Sequence, residues 1–305
     1  MSDFWCVYPD LPAGKGFGLF TPAHWGMLAL CALLIAGISA LFNCLTRDEG
    51  RKVSANRDRY EKISAKNPNA KIFNPNLNLE LCCHNLSKKR EDAFLRILSL
   101  LILGGNILRD LFLLSVHRMS TAYLPLHLCS LSIFVYLLYA FLPARHRRLR
   151  AFFGEVSAVL CAPGALTALL FPDWSAYPLF SFMSLHSFVW HALLIAFPIL
   201  LLQSGAIRPC LRHIWMPILY LFVIMPPIWL FDDITGCNYL FVRVPLAGTP
   251  LEMLADAFGP AWRVGYAALV LIVILLVYAV FALLRRCGIL PAANAERVSP
   301  HKTHP

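Results

Sequence analysis

Charge is scarce in this chain. Only 14% of its 305 residues are Asp, Glu, Lys or Arg, against about a quarter in an ordinary soluble domain. Hydrophobic residues make up 58%. That excludes a disordered chain, which lacks the apolar surface to offset its ordering entropy. Acids are the rarer sign: 17 Asp+Glu stand against 27 Lys+Arg, a formal charge of +10. A soluble nucleic-acid binder of that charge would be far more polar, so no nucleic-acid partner is expected. Zinc spacing is also missing. The ten cysteines include no C-x-x-C, and Cys82-Cys83 are adjacent. No internal repeat is present, which withholds support from an inverted-repeat transporter. The first apolar run is preceded by Asp3 and Asp10 rather than by a basic stretch, and it starts too late, so it does not read as a cleaved signal.

Long apolar runs are what the chain has instead. Seven are near the roughly 20 residues that a transmembrane helix needs, at 23–44, 93–116, 122–142, 151–171, 180–202, 212–231 and 262–284. The sixth is interrupted by Pro217, Pro226 and Pro227. The expected fold is all-α: a polytopic membrane bundle of seven helices, with membrane lipids as its surroundings and partners. The source membrane would be the cell membrane of a bacterium or an endomembrane of a eukaryote. All the basic residues but Lys15, Arg109, Arg118, Arg243 and Arg263 fall in alternate loops, the tail or one end of the spans. Asp173, Asp232, Asp233, Glu252 and Asp256 lie in the loops of the other side. The positive-inside rule therefore predicts an outer N-terminus and an inner C-terminus. Residues 1–22 form an outer segment and 45–92 an inner loop insertion; 285–305 form an inner tail. Asn67 to Asn78 is rich in helix breakers and reads as loop.

Ionisable groups within spans are costly and often functional. Here they gather in one layer. His24 opens the first span; Asn106, Arg109 and Asp110 lie in the outer half of the second. His127 and Cys129 open the third, His186 and His191 lie in the outer half of the fifth, and Asn238 and Tyr239 follow the sixth. The inner halves read as almost purely apolar. The layer predicts either a shared pocket or a structural hydrogen-bond network. Cys129 reads as an apolar filler or as a nucleophile. His127, two positions away, points about 200° round a helix, so an activating base would come from another helix, His186 first and His24 next. Arg109 and Asp110 are adjacent and diverge by about 100°, so each is expected to find a partner on another helix. Arg109 could instead hold a lipid phosphate, and Asp110 could orient a histidine. The four histidines could converge on zinc, although His186 and His191 lack the four-residue spacing of a helical zinc pair. His24 also fits a plain interfacial role, with Thr21 as N-cap and Pro22 in the first turn. Cys6 and Cys237 both fall on the outer side, where a disulfide is possible. Cys44, Cys82, Cys83, Cys210 and Cys287 fall on the inner side and read as reduced thiols.

Several of these segments resemble a known family. Leu124-Pro125-Leu126-His127-Leu128-Cys129-Ser130 is similar to the Pro-x-His-x-Cys signature of the YwaF-like bacterial integral membrane proteins. Phe20-x-x-x-His24, Ala168 to Asp173, Phe182-x-x-x-His186 and Thr235-Gly236-Cys237-Asn238-Tyr239 fall in the family's order. That family is grouped with the animal transmembrane protein 164 acyltransferases, which move acyl chains onto lysophospholipids using a Cys and a His. The resemblance implies Cys129 and His186 as the equivalent pair. In the animal branch the cysteine directly precedes the histidine of the third helix. Here that position is Leu126, which shares a helical face with Cys129 three residues on.

The first expectation is therefore a lipid acyltransferase. Cys129 would attack an acyl ester and His186 would act as base and then acid. His127, Asn106 or Asn238 would bind the oxyanion, and Arg109 the head group. Asp110, His24 and Tyr239 complete the substrate-binding set. No dissociable cofactor is implied when the donor is a phospholipid. A non-enzymatic carrier or sensor using the same layer is the second expectation, and a His-metal lipid hydrolase the third. The orientation is checked by labelling. In a bacterial cell membrane, an impermeant thiol reagent outside intact cells is expected to leave Cys82 unmodified; modification there would invert the topology.

Overall fold

The computed structural model describes residues 3–66 and 75–290, with side chains at 3–46 and 86–290. Among the described residues every regular element is helical: α1 (Pro22–Lys66), α2 (Pro75–Ser115), α3 (Leu128–Phe141), α4 (Arg147–Val156), α5 (Ala162–Leu170), α6 (Phe182–Gln203), α7 (Trp215–Thr235), α8 (Pro250–Phe258) and α9 (Trp262–Arg286). A π turn, Ser157–Cys161, joins α4 to α5. Among the described residues, six segments are long and apolar enough to cross a membrane: Pro22–Thr46, Leu86–Ser115, Arg147–Leu170, Phe182–Gln203, Leu211–Thr235 and Pro250–Arg286.

The third predicted span is shorter than expected. Its helix covers only Leu128–Phe141, 14 residues or about 21 Å, against about 30 Å of hydrocarbon. The reason is Pro125, which drives Leu124 into the extended region (ψ 151°) by clashing with any helical predecessor. A turn follows at residues 125–126, where the Leu126 N–H donates to Leu124 O at 2.8 Å, and His127 is extended again (ψ 152°) before α3 begins. The predicted 45–92 loop differs as well. Helix α1 continues to Lys66 and α2 already starts at Pro75, where proline suits the first helical turn. Residues 51–66 contain neither proline nor glycine and are rich in good helix formers. Of the breaker-rich stretch, 67–74 lies outside the described residues, as do the tail from 291 and the side chains of Cys82 and Cys83.

Local chemistry sets the helix ends. The Thr21 hydroxyl accepts the His24 N–H at 3.3 Å and caps α1, with Pro22 next. Ser181 caps α6 by accepting the Ser184 N–H at 3.2 Å. Gly236, in the left-handed region (φ 77°), stops α7. Pro163 sits just after the π turn. It cannot donate a backbone hydrogen bond and crowds the carbonyl four residues before, which the wider turn relieves.

Cross-links between helices define two ends. At one, His24 meets Leu169, Arg109 meets Tyr123, and His186 meets Gly105. At the other, Ser87 meets Thr46, Arg96 meets Ala140, Arg150 meets Asp92, and Arg285 meets Pro209. We call these the histidine end and the arginine end. Helix α6 is central: it packs on α1, α2, α3 and α5, and Phe188, Ala192, Leu194, Phe197, Leu200 and Leu201 have no exposed surface. Large apolar side chains cover the outside instead, including Leu33, Leu101, Phe222 and Val264. That inside-out exposure suits a hydrocarbon solvent and would be a liability in water.

Pro198 inside α6 cannot donate to the Leu194 carbonyl one turn earlier. The Tyr136 hydroxyl of α3 fills the vacancy, donating to Leu194 O at 2.8 Å, while its ring stacks on Phe197 at 4.3 Å. Neighbouring groups re-satisfy a proline-freed carbonyl in this way within membranes. Tyr136→Phe keeps the ring and loses the bond. It is expected to cost about 1–3 kcal/mol, measured by thermal unfolding in detergent.

Candidate functional site

Three residues of α2 open the histidine end. Asp110 accepts from Arg109 Nε at 2.9 Å and Nη2 at 2.6 Å on one oxygen, and from Asn106 Nδ2 at 2.9 Å on the other. Sequence reasoning expected these adjacent charges to diverge toward other helices. The long arginine side chain folds back instead, so the pair neutralises itself. Arg109 Nη2 also donates to Tyr123 O at 2.9 Å, and these bonds leave Nη1 outside them. Both Asp110 oxygens are therefore committed to Arg109 and Asn106 rather than to a histidine. Asn106 Oδ1 is buried without a partner.

Helix α6 enters this surface with two rings. His186 Nε2 faces Gly105 O at 2.9 Å, and Trp190 Nε1 donates to Ile102 O at 2.9 Å. A carbonyl only accepts, so the imidazole proton is on Nε2. Its Nδ1 is then a bare lone pair, buried with no partner. Gly105 makes the approach possible: a Cβ there would lie 3.0 Å from Trp190 Cδ1 and 3.9 Å from His186 Nε2.

The other predicted residues have different surroundings. His24 is fully buried; its Nδ1 accepts from the Phe20 N–H at 3.0 Å and its Nε2 donates to Leu169 O at 2.8 Å. Both nitrogens are spent on backbone, joining the start of α1 to the end of α5. His191 Nδ1 donates to Ser187 O at 2.7 Å, and its ring stacks on Trp174 at 4.9 Å. His127 lies against Tyr239 at 4.7 Å and Phe241 at 5.3 Å. The Tyr239 hydroxyl donates to Thr121 O. Burial pushes that hydroxyl up to about 12, so it stays a donor at neutral pH. The Thr121–Tyr123 turn thus receives Arg109 on one side and Tyr239 on the other. Asn238 spans its own loop: Nδ2 donates to Val244 O at 2.8 Å, and Oδ1 accepts from the Arg243 and Val244 N–H groups at 3.1 Å each.

Cys129 sits in the first turn of α3, half-buried. Among the described residues no hydrogen bond joins it to a histidine. The histidines do not converge either, and no group of three His, Cys, Asp or Glu side chains among the described residues is placed to hold a metal ion. Cys6 and Cys237 are free thiols. The first donates to Asp3 O at 2.9 Å and the second to Thr121 Oγ1 at 3.5 Å. A partly open cavity of about 430 Å³ lies between the N-terminal segment and the end of α2, lined by Trp5, Val7, Asp10, Val116 and Arg118 among others. None of the predicted site residues lines it.

Two groups escaped the sequence reading. Asp232 is not a loop charge. It is in the last turn of α7, fully buried, with neither carboxylate oxygen partnered. Glu155, in the fourth span, is buried at the arginine end and accepts from the Tyr278 hydroxyl at 3.0 Å. The spans are therefore not almost purely apolar toward the arginine end. A single acid within an apolar run was the available signal for Glu155.

The apolar exterior and six spanning helices define an integral, multi-pass membrane protein. Within that class the family is specific. The model of the TMEM164 family matches residues 19–281, and the chain belongs to that family. No curated protein and no solved structure matches it.

The glycine contact yields a paired test. Gly105→Ala is expected to lower stability by about 1–3 kcal/mol through overpacking. Gly104→Ala meets nothing within 4 Å and is expected to be neutral or stabilising by up to about 1 kcal/mol. Thermal unfolding in detergent compares the two.

Proposed function

We propose that the chain is a phospholipid acyltransferase working at the histidine end, which faces the outer leaflet, with the N-terminus outside and the C-terminus inside. The observation that carries this reading is the His186 ring. Gly105 O holds its Nε2 proton at 2.9 Å, and its unpartnered Nδ1 lone pair is free to take one. A general base needs that lone pair in a water-poor site. Cys129 is the nucleophile, and its proton passes to Nδ1 once substrate draws the two groups together; such bonds are often long before substrate binds. Arg109, paired with Asp110 through Nε and Nη2, offers Nη1 to the lipid phosphate. Asn106 Oδ1 accepts a substrate hydroxyl. His127 and Tyr239 form the aromatic wall beside the first turn of α3. Asn238 and His24 hold the backbone around the site through their hydrogen bonds to it.

A second reading has one observation in its favour. A carrier needs polar groups toward both ends of the membrane, and Glu155 supplies one at the arginine end. Lipid profiling separates the two. Membranes with the wild type, Cys129→Ala and His186→Asn are compared at equal expression. The wild type is expected to change phospholipid acyl composition, and each variant to lose at least about 100-fold of that rate. Acyl composition unchanged by the wild type removes the acyltransferase. A change that survives Cys129→Ala removes the thiol mechanism.

A further inference from the structure

A second cysteine–histidine cluster lies at the arginine end, independent of Cys129 and His186. Cys210 precedes the short turn Leu211–His213, whose backbone closes with His213 N–H donating to Cys210 O at 2.8 Å. This brings His213 Nδ1 to 3.5 Å from Cys210 Sγ. The same nitrogen is 3.4 Å from Glu155 Oε2. The carboxylate is held by the Cys210 N–H at 3.2 Å and the Tyr278 hydroxyl at 3.0 Å, both on Oε1. Glu155 is 4% exposed in its side chain, whereas His213 is 38% exposed, so the cluster is anchored within and open at its rim. The loop carrying Cys210 is pinned from two sides. Arg285 donates to Pro209 O, and Ile207 packs where any Cβ on Gly154 would stand, at 2.4 Å. Leu211 and Trp215 next to it are exposed, and tryptophan marks the membrane–water interface.

We propose that Cys210 is a self-acylating thiol that takes a long-chain acyl group from an acyl thioester. Sγ attacks the thioester carbonyl carbon and a new carbon–sulfur bond forms. The donor's acyl–sulfur bond breaks. Glu155 Oε2 keeps the proton on His213 Nδ1, the thiol proton passes to water at the open rim, the Nδ1–H donates to the Cys210 thiolate, and water returns a proton to the departing thiolate, which leaves as a free thiol. The acyl chain lies along Leu211 and Trp215 in the bilayer. Juxtamembrane cysteines are the usual sites of this modification; the buried carboxylate that shares His213 Nδ1 with the thiol is what singles out Cys210 from the exposed Cys44 and Cys287.

The test uses the purified full chain in detergent with palmitoyl-coenzyme A, followed by intact mass and peptide mapping. One acyl group is expected on Cys210 of the wild type, removable by neutral hydroxylamine. It should be absent from Cys210→Ser, at least ten-fold slower in His213→Asn, and unaffected in Cys129→Ala. Acylation mapped elsewhere with Cys210 unmodified overturns the proposal, as does wild-type acylation rate in His213→Asn. Because the mapping is made on the wild type, a variant that fails to fold leaves the test intact.

Discussion

The bundle depends on ring N–H and O–H groups donated into backbone carbonyls of neighbouring helices. In hydrocarbon, apolar contact alone does not draw helices together, since lipid tails are as apolar as leucine. Close approach at small residues and hydrogen bonds to backbone supply the adhesion. Trp190 and His186 give two such bonds from α6 to α2, across Gly105. Tyr136 gives one from α3 to α6, and His24 one from α1 to the end of α5. Together they register five helices.

The same adhesion has a chemical consequence. A carbonyl that takes the Nε2 proton of His186 fixes the tautomer and aims Nδ1 away from α2. His24 ends up satisfied at both nitrogens by backbone groups. His186 ends up half satisfied, with an acceptor left in a buried site. Leaving a buried polar atom unpaired costs about 1–3 kcal/mol, and such residual costs gather where a ligand completes the bonding. Asn106 Oδ1, one residue from Gly105, shares that condition.

The two ends use ion pairing differently. At the histidine end, Arg109 and Asp110 neutralise each other within one helix, so the charge stays local to α2. At the arginine end, Arg150 reaches Asp92 across helices, and Glu155 collects Tyr278, His213 and the Cys210 backbone from separate parts of the chain. Those links hold α4, α9 and the loop before α7 in one place, and they set a thiol beside an imidazole.

Hydropathy alone determined the all-helical membrane class, six of the spans, and the layer in which His24, Arg109, His127 and His186 would lie, because helix length and direction follow from run length and order. The Thr21 cap and the α9 limits were legible for the same local reason. Tertiary structure decided the rest. Which nitrogen of a histidine is left without a partner depends on which backbone groups face it, as His24 and His186 show. Whether Arg109 finds another helix or its own neighbour depends on side-chain reach, which angular spacing does not contain. The shortness of α3 came from Pro125 acting on Leu124, a local signal outweighed in the sequence by an apolar run. Asp232 and Glu155 lie within apolar runs or at their edges, and only packing shows that both are buried, one unpaired and one gathered into a cluster.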